Sequence, residues 1–507
     1  MSVEDHRTGD HARPRREWLI GVGLFGLSAA LFALIQWRIP GLADNDSYYH
    51  AKMGWLIHSN GIKQDFVWLP QTILNRADYY DHHMLYHGYL ALFAWRDPAL
   101  DGGAGVLLGA KIASVLLPAA AFVAVWWLLR GQRIRWAGAW TVGLFAMSDI
   151  FLFRLSMVRA QSASLLVLVL ALHWLLQRRY RWLLPLGWGY VWLYNAFPLL
   201  FVVVGAYLAV TLICERRMVW SALGYSLVGV ALGLVINPYF PQNISFIISH
   251  IGTKLIAATA EIGAEWFPYD SWTLMQTAGA AYAIGIVGLL ALIMSKQGFD
   301  RLNLLTFGLY LIFGVLTLKS KRFLEYFPAF ALLFGATSIT PLLESWRATA
   351  PTMWRRVRLL LPALLGLLVL ITVINTQRSM LALDTLFPAN TKRAAALWLN
   401  QNAAPNTLIY NTEWRQFPRL FFYDTTHSYV LGLDPTYLQL ADADQYAAYV
   451  AINAGEVAQP GQAIRERFGA HYVVASIGET AFIAQANADP TMREVFRSGD
   501  SIVWQIK

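Results

Sequence analysis

The sequence predicts a polytopic α-helical membrane protein, with about eleven transmembrane helices and a C-terminal α/β domain on the external side. Three observations carry this. Hydrophobic residues make up 57% of the 507 residues and charged residues only 14%, too apolar for a soluble chain of this size. The apolar runs are about 20 residues long and do not alternate, which indicates helices rather than a barrel. From about residue 377 the character changes, and no later run is long and apolar enough to span a bilayer.

Residues 1–17 are polar and basic and are expected in the cytoplasm. The first span is expected at 18–38, too long for a signal peptide and followed by no small-residue cleavage site. An external loop, 39–103, follows, with amphipathic stretches at about 47–59 and 84–96 suited to the membrane interface. Further spans are expected at 105–129, 137–150, 160–177, 181–196, 197–214, 219–237, 273–294, 302–318, 323–343 and 357–375. A second long external loop runs from 238 to 272. Residues 1–376 thus form a membrane domain and residues 377–507 an external one. In that tail a helix is expected at 391–402, and strands at 407–410, 471–475 and 502–506.

Loop charges orient the chain. Arg130, Arg133 and Arg135, then Arg178, Arg179 and Arg181, then Arg216 and Arg217, Lys296 and Arg301, and Arg347 with Arg355, Arg356 and Arg358 all fall on one side. The positive-inside rule makes that side cytoplasmic. An odd span count then leaves the N-terminus in the cytoplasm and the tail in the periplasm or outside the cell, in an inner or plasma membrane protein. The net charge of +9 resides largely at span ends, which speaks for topology and anionic lipid contact rather than nucleic acid. The single cysteine, Cys214, makes no internal disulfide.

Two polar clusters lie in the first external loop. Ala43-Asp44-Asn45-Asp46-Ser47-Tyr48-Tyr49-His50 stands where the chain leaves the bilayer, and Tyr79-Tyr80-Asp81-His82-His83 follows, with His87 one turn further on. Charged and imidazole groups are costly near hydrocarbon, so their clustering marks a site. Asp44 and Asp46, spaced D-x-D, can share a divalent cation, or one can act as a general base while the other orients. Asp81, His82 and His83 are of the type that ligates manganese or zinc, or they hydrogen-bond the loop. Basic residues break the positive-inside pattern on this same face: Arg154 and Arg159, then Lys319, Lys321 and Arg322. An external anion such as a lipid phosphate accounts for them, and the alternatives are snorkelling or pairing with local carboxylates. Trp266, Tyr269, Trp272 and Trp414 lie in or beside polar loops, placed to stack on a sugar or a prenyl chain.

These residues resemble the GT-C superfamily of lipid-linked-sugar glycosyltransferases, in particular the catalytic subunit of oligosaccharyltransferase and its single-subunit bacterial and archaeal relatives. Asp44-Asn45-Asp46-Ser47-Tyr48-Tyr49 is similar to the family's first acidic motif, which implies a catalytic role for Asp46, with Asp44 beside it. Gly187-Trp188-Gly189-Tyr190 through Asn195-Ala196-Phe197-Pro198 is similar to its W-G-G-Y…N-x-x-P span. Thr259-Ala260-Glu261 resembles its T-I-x-E motif, where the glutamate arranges metal and acceptor. Lys321-Arg322-Phe323 through Leu332 is similar to its R-F-x-x-Y-x-x-P-x-x-A-L span, where the arginine lies near the lipid phosphate. The second acidic motif is absent: Phe153-Arg154-Leu155-Ser156-Met157-Val158-Arg159 stands there, with Asp149 nearby. So is the W-W-D-Y-G motif, replaced by Asn411–Pro418 and Gly432-Leu433-Asp434-Pro435.

The resemblance implies transfer of a sugar or glycan from a polyprenyl-phosphate or -diphosphate carrier to a glycan, lipid or protein acceptor on the external face. Asp46 and Asp44 are the catalytic candidates, and Arg322, Lys321 and Arg159 the donor-phosphate candidates. Glu261, Glu265, Trp266, His82, His83 and Trp414 are the loop and acceptor candidates. A divalent metal, manganese or magnesium, has Asp46, Asp81 and Glu261 as candidate ligands. Two other readings stay open: a protein oligosaccharyltransferase with a diverged acceptor motif, and a flippase for lipid-linked sugars. The flippase predicts polar residues lining a path through the spans, and few are present.

Overall fold

The computed structural model describes residues 12–96, 98–256, 264–295, 298–386 and 388–507. Every segment expected to span falls on a helix. Six helices are long and apolar enough to cross a membrane: Glu17–Gln36, Ala104–Gly131, Ser271–Ser295, Arg301–Lys319, Phe327–Thr349 and Pro351–Asp384. At 137–150 the expected span is broken, because Ala137–Ala146 meets Asp149–Ser156 at 91°. Ser148 caps the second piece, its hydroxyl accepting from Phe151 N at 3.1 Å. Gln161–Leu176, Leu199–Glu215 and Trp220–Val235 are apolar but shorter, and Leu183–Leu193 is shorter still. By length and composition six helices of the described residues qualify as spans, or seven with the bent pair counted as one, and the other four expected segments fall on helices shorter than that. The shortfall has a local cause. The extended Tyr194 ends Leu183–Leu193, and Arg216 in the left-handed region ends Leu199–Glu215.

Helices in lipid gain little from burying apolar surface against one another, so close backbone approach matters more. Gly109 shows it: a Cβ there would collide with the carbonyl oxygen of Phe93, which brings the external loop onto the helix Ala104–Gly131. The helices Asp46–Asn60 and Met84–Ala91 fall on the two stretches expected at 47–59 and 84–96, but neither segregates its apolar residues to one face. The first does not lie open at an interface, since Ser47 to Gly54 are all buried. The bundle, the second external helix and the tail cover it together.

The last long helix continues to Asp384, and the tail then folds around a five-stranded sheet. Its strands are β1 (Leu408–Asn411), β2 (Ser428–Tyr429), β3 (Tyr472–Ser476), β4 (Met492–Arg497) and β5 (Ser501–Ile506), in the order β2-β1-β3-β5-β4. The first three pair in parallel, while β5 runs antiparallel to both β3 and β4. The sequence foreshadows β1, β3 and β5, whose apolar residues are continuous. It does not reveal β2, which is two residues long, or β4, whose burial follows no alternation.

The tail docks on the loop 39–103. Tyr429 N donates to Trp68 O at 2.8 Å, and Trp68 Nε1 donates to Thr425 O at 2.9 Å. Ile73 N donates to Tyr437 O at 3.1 Å. Around these bonds Tyr49, Phe66, Trp68 and Phe417 surround Phe421, with ring centres 4.9–6.1 Å from it. Phe421→Ala is expected to destabilise this junction by about 3–5 kcal/mol. Limited proteolysis should then release the tail faster than in wild type, and equal rates would show that the junction does not hold it.

Candidate active site

The site assembles from separate stretches at the end of the bundle that the tail covers. The first is the turn into the helix Asp46–Asn60. Asp44 Oδ1 accepts from Ser47 N at 3.2 Å and from the Ser47 hydroxyl. The same hydroxyl accepts from Val158 N at 3.0 Å, which fastens the turn to the segment after the bent pair.

Arg159 follows directly. Its Nε donates to Asp44 Oδ2 at 2.6 Å, its Nη2 lies 2.7 Å from Asp46 Oδ2, and its Nη1 lies 3.4 Å from Glu265 Oε2. One guanidinium thus bridges three carboxylates, the place a divalent cation would take in a D-x-D site.

Glu265 is a second hub. Arg322 Nε donates to its Oε1 at 3.0 Å and Arg154 Nη2 to its Oε2 at 3.1 Å. Arg154 Nε also donates to Glu325 Oε1 at 2.7 Å, where the Glu325 side chain is 1% exposed. Ser320 Oγ donates to Glu265 O at 2.9 Å and Lys321 N to Phe267 O at 3.2 Å, so the second external loop is stitched to the start of the helix Phe327–Thr349. Arg322 lies over the Trp266 ring at 4.2 Å and Lys321 over Tyr269 at 4.8 Å.

The charges do not balance. Among the described residues, Asp44, Asp46, Glu265 and Glu325 form ion pairs with Arg154, Arg159 and Arg322 alone. Asp46 carries the deficit. Burial pushes its carboxyl up to about 6 against the pull of Arg159, and Asp44 and Glu265 add to the rise. Burial acts the same way on Glu265, but there Arg322, Arg159 and Arg154 outweigh it and hold the carboxyl well below the usual range.

These groups form one wall of a cavity of about 520 Å³. The facing wall belongs to the tail, with Lys392, Glu413, Trp414, Arg415, Gln416 and Arg419. Arg419 joins the two walls: Nε donates to Asn45 Oδ1 at 2.7 Å, and the guanidinium lies 4.3 Å from the centre of the Tyr48 ring.

Of the residues singled out in the sequence, Asp44, Asp46, Arg159, Glu265, Trp266, Arg322 and Trp414 line this cavity. Lys321 is turned onto Tyr269 instead. His82 and His83 are not among the lining residues. His82 stacks on Phe246, with ring centres 5.3 Å apart, and His83 on Tyr194 at 5.2 Å. Glu261 lies outside the described residues. Of the other two expected metal ligands, Asp46 pairs with Arg159, and Asp81 Oδ2 accepts from His87 Nδ1 at 2.7 Å. Sequence reasoning passed over Glu325, Lys392, Arg415 and Arg419. Glu325 had a signal, a carboxylate at the mouth of a span next to Arg322. The three tail residues had none, since surface Lys and Arg look the same whatever they face.

No family model and no curated protein matches the sequence. Solved structures do match the fold. The oligosaccharyltransferase of Archaeoglobus fulgidus matches with a TM-score of 0.64 and 13% identity, over 92% of this chain and 71% of its own. That protein, AglB, has also been solved with an inhibitory peptide and a dolichol-phosphate. ArnT from Cupriavidus metallidurans bound to undecaprenyl phosphate matches with a TM-score of 0.56 and 16% identity, over 95% of this chain and 97% of its own. The mycobacterial arabinofuranosyltransferase AftD matches with a TM-score of 0.54 and 14% identity, over 95% of this chain and 41% of its own. The chain shares the fold of these three proteins.

The Arg154–Glu325 pair gives a test. Arg154→Met leaves Glu325 buried without its partner, which is expected to cost about 3 kcal/mol. The sign with pH is fixed. The stranded carboxyl has a raised folded pKa, so protonation relieves it, and the loss relative to wild type should be small at acid pH and grow as pH rises. Thermal unfolding in detergent at about pH 5 and pH 8 reads this difference, and an equal shift at both would show that the pair is not the cause.

Proposed function

We propose that the chain is a membrane glycosyltransferase. It moves a sugar or glycan from a polyprenyl-phosphate or -diphosphate carrier to an acceptor on the external face. The observation that carries this reading is Asp46 beside Arg159 and Arg322 in one cavity between bundle and tail. A base and fixed cations in a confined space suit displacement of a phosphate from an anomeric carbon. The likeness of fold to ArnT solved with undecaprenyl phosphate, and to AglB solved with dolichol-phosphate, supports the donor class.

In this reaction the acceptor gives its proton to Asp46 as its oxygen or nitrogen attacks the anomeric carbon. The bond from that carbon to the phosphate oxygen breaks on the opposite face, and the electron pair leaves with the phosphate. Arg322 is bound to Glu265 through Nε and Nη2, and its Nη1 would hold a phosphate oxygen. Arg159 keeps Asp44 and Asp46 in register and supplies positive charge inside the acidic cluster, so Asp46 needs no divalent ion to be held there. Trp266 and Trp414 present rings to the cavity for sugar or acceptor.

In this reading residues 1–376 are the catalytic membrane unit and residues 377–507 its roof. Eleven crossings, the shorter helices included, would put the N-terminus in the cytoplasm and the roof in the periplasm or outside the cell. A protein acceptor is the second reading. Glu413–Gln416 and Leu433–Pro435 stand where the resemblance expects the acceptor-reading motif, and they line the cavity.

Membranes holding wild type or Asp46→Asn, given radiolabelled polyprenyl-linked sugars with and without a sequon peptide, test the reading. The variant should lose transfer by about 10²-fold or more. Undiminished transfer would remove Asp46 from the mechanism, and a wild type without product under every condition would count against the enzyme. The pH profile gives a separate test. Asp46 must be ionised to accept a proton, so kcat/KM should rise with pH through a midpoint near 6. A flat profile from about pH 5 to 8 would exclude its role as base.

A further inference from the structure

A second polar cluster, separate from the cavity, lies between the helices Asp46–Asn60 and Met84–Ala91. His50 comes from the first helix. His83 caps the second and His87 lies one turn into it, so the two stand on one face four residues apart. One ring nitrogen from each of His50, His83 and His87 lies within 4.8 Å of the others. His50 and His87 are 5% and 0% exposed. His50 Nδ1 and His87 Nε2 are 2.8 Å apart. On its far side His87 Nδ1 donates to Asp81 Oδ2 at 2.7 Å, and Asp81 Oδ1 accepts from His83 N at 3.0 Å. The Nδ1 atom of His83 is buried and has no hydrogen-bond partner among the described residues.

We propose that His50, His83 and His87 bind one transition-metal ion of the zinc type, with Asp81 as the carboxylate that orients His87. Three imidazoles suit zinc or a neighbouring late transition metal and do not suit magnesium or calcium, which take oxygen ligands. Two of the ligands come from an H-x-x-x-H spacing on one helix face, a common way to present imidazoles to zinc. The Asp81–His87 contact is the carboxylate–histidine arrangement that fixes which nitrogen faces a metal. Burial holds His50 and His83 neutral, the form that ligates.

The change on binding is balanced in protons. With His87 Nδ1–H on Asp81, His87 Nε2 accepts from His50 Nδ1–H. The ion takes the place of that shared proton, and His50 carries its proton on Nε2 instead, so none is lost. Two nitrogens on a tetrahedral ion at about 2.0–2.1 Å each stand roughly 3.3 Å apart, so the His50 and His87 rings part by about 0.5 Å, and the His83 nitrogen, within 4.8 Å of them, comes to the same spacing. His50 follows Asp46 by one helical turn. The ion thereby ties the helix that carries Asp46 to the second external helix, and three protein ligands leave its fourth position open.

The test uses the full chain with a histidine-free tag, purified in detergent. Metal content is measured as purified and again after loading with Zn²⁺ and desalting. About one Zn²⁺ per chain is expected in wild type and in His471→Ala, an exposed tail histidine, and at least tenfold less in His83→Ala and His87→Ala. Wild type holding less than about a tenth of an ion per chain would overturn the proposal, and so would full occupancy in both variants. If the variants give no monodisperse protein, X-ray absorption of Zn²⁺-loaded wild type decides. Three imidazole nitrogens at about 2.0–2.1 Å support the site, and a shell of oxygen ligands alone overturns it.

Discussion

The end of the bundle that the tail covers depends on one constraint: charged groups set beside a membrane core must find partners within the protein. Arg159 meets it for Asp44, Asp46 and Glu265, and Glu265 meets it for Arg154 and Arg322. Buried ion pairs often add little net stability, because desolvation offsets attraction, yet breaking one is costly. Their effect here is on geometry. Asp44 and Arg159 are 115 residues apart in sequence, and Arg154 and Glu325 are 171 apart. The network thus fixes the ends of several helices relative to one another and fastens the second external loop among them.

The second condition is the roof. Aromatic residues of the tail pack on the first external loop, and Arg419 reaches through to Asn45 at the turn that carries Asp46. Charges acting inside such a covered space are screened less by water. The same cover raises the Asp46 carboxyl toward neutral pH, the range in which a general base works best. Docking and electrostatics are therefore connected: apolar packing at Phe421 helps maintain the cover under which burial raises the Asp46 carboxyl.

The fold is common to proteins with about one residue in seven in common, so fold alone carries little chemistry. What individualises this chain is its charged side chains. Where the resemblance leads one to expect a further acidic residue after the third span, there is Arg159, and it already fills the acidic cluster. In the loop 39–103, His50, His83 and His87 gather away from the cavity. The acidic cluster and the histidine cluster, which the sequence places in one loop, occupy two places in the structure.

Hydropathy and charge in the sequence alone determined that this is a helical membrane protein with a tail of another character, because burial in lipid demands long apolar runs. They also marked Asp44 and Asp46 at the end of a span, and Arg159 and Arg322, since cations on the face opposite the basic loops need a reason. Helix breaks were less legible: the 91° bend at 137–156 comes from a capping serine within an apolar run, which hydropathy averages away. Only the tertiary structure decided that Glu265 gathers three arginines, that Glu325 completes Arg154, that Arg419 closes the roof, and that His83 and His87 turn toward His50. A local pattern reports how each residue meets its immediate surroundings. These partners lie tens to hundreds of residues apart, and the crossing of helices and the docking of the tail alone bring them within bonding distance.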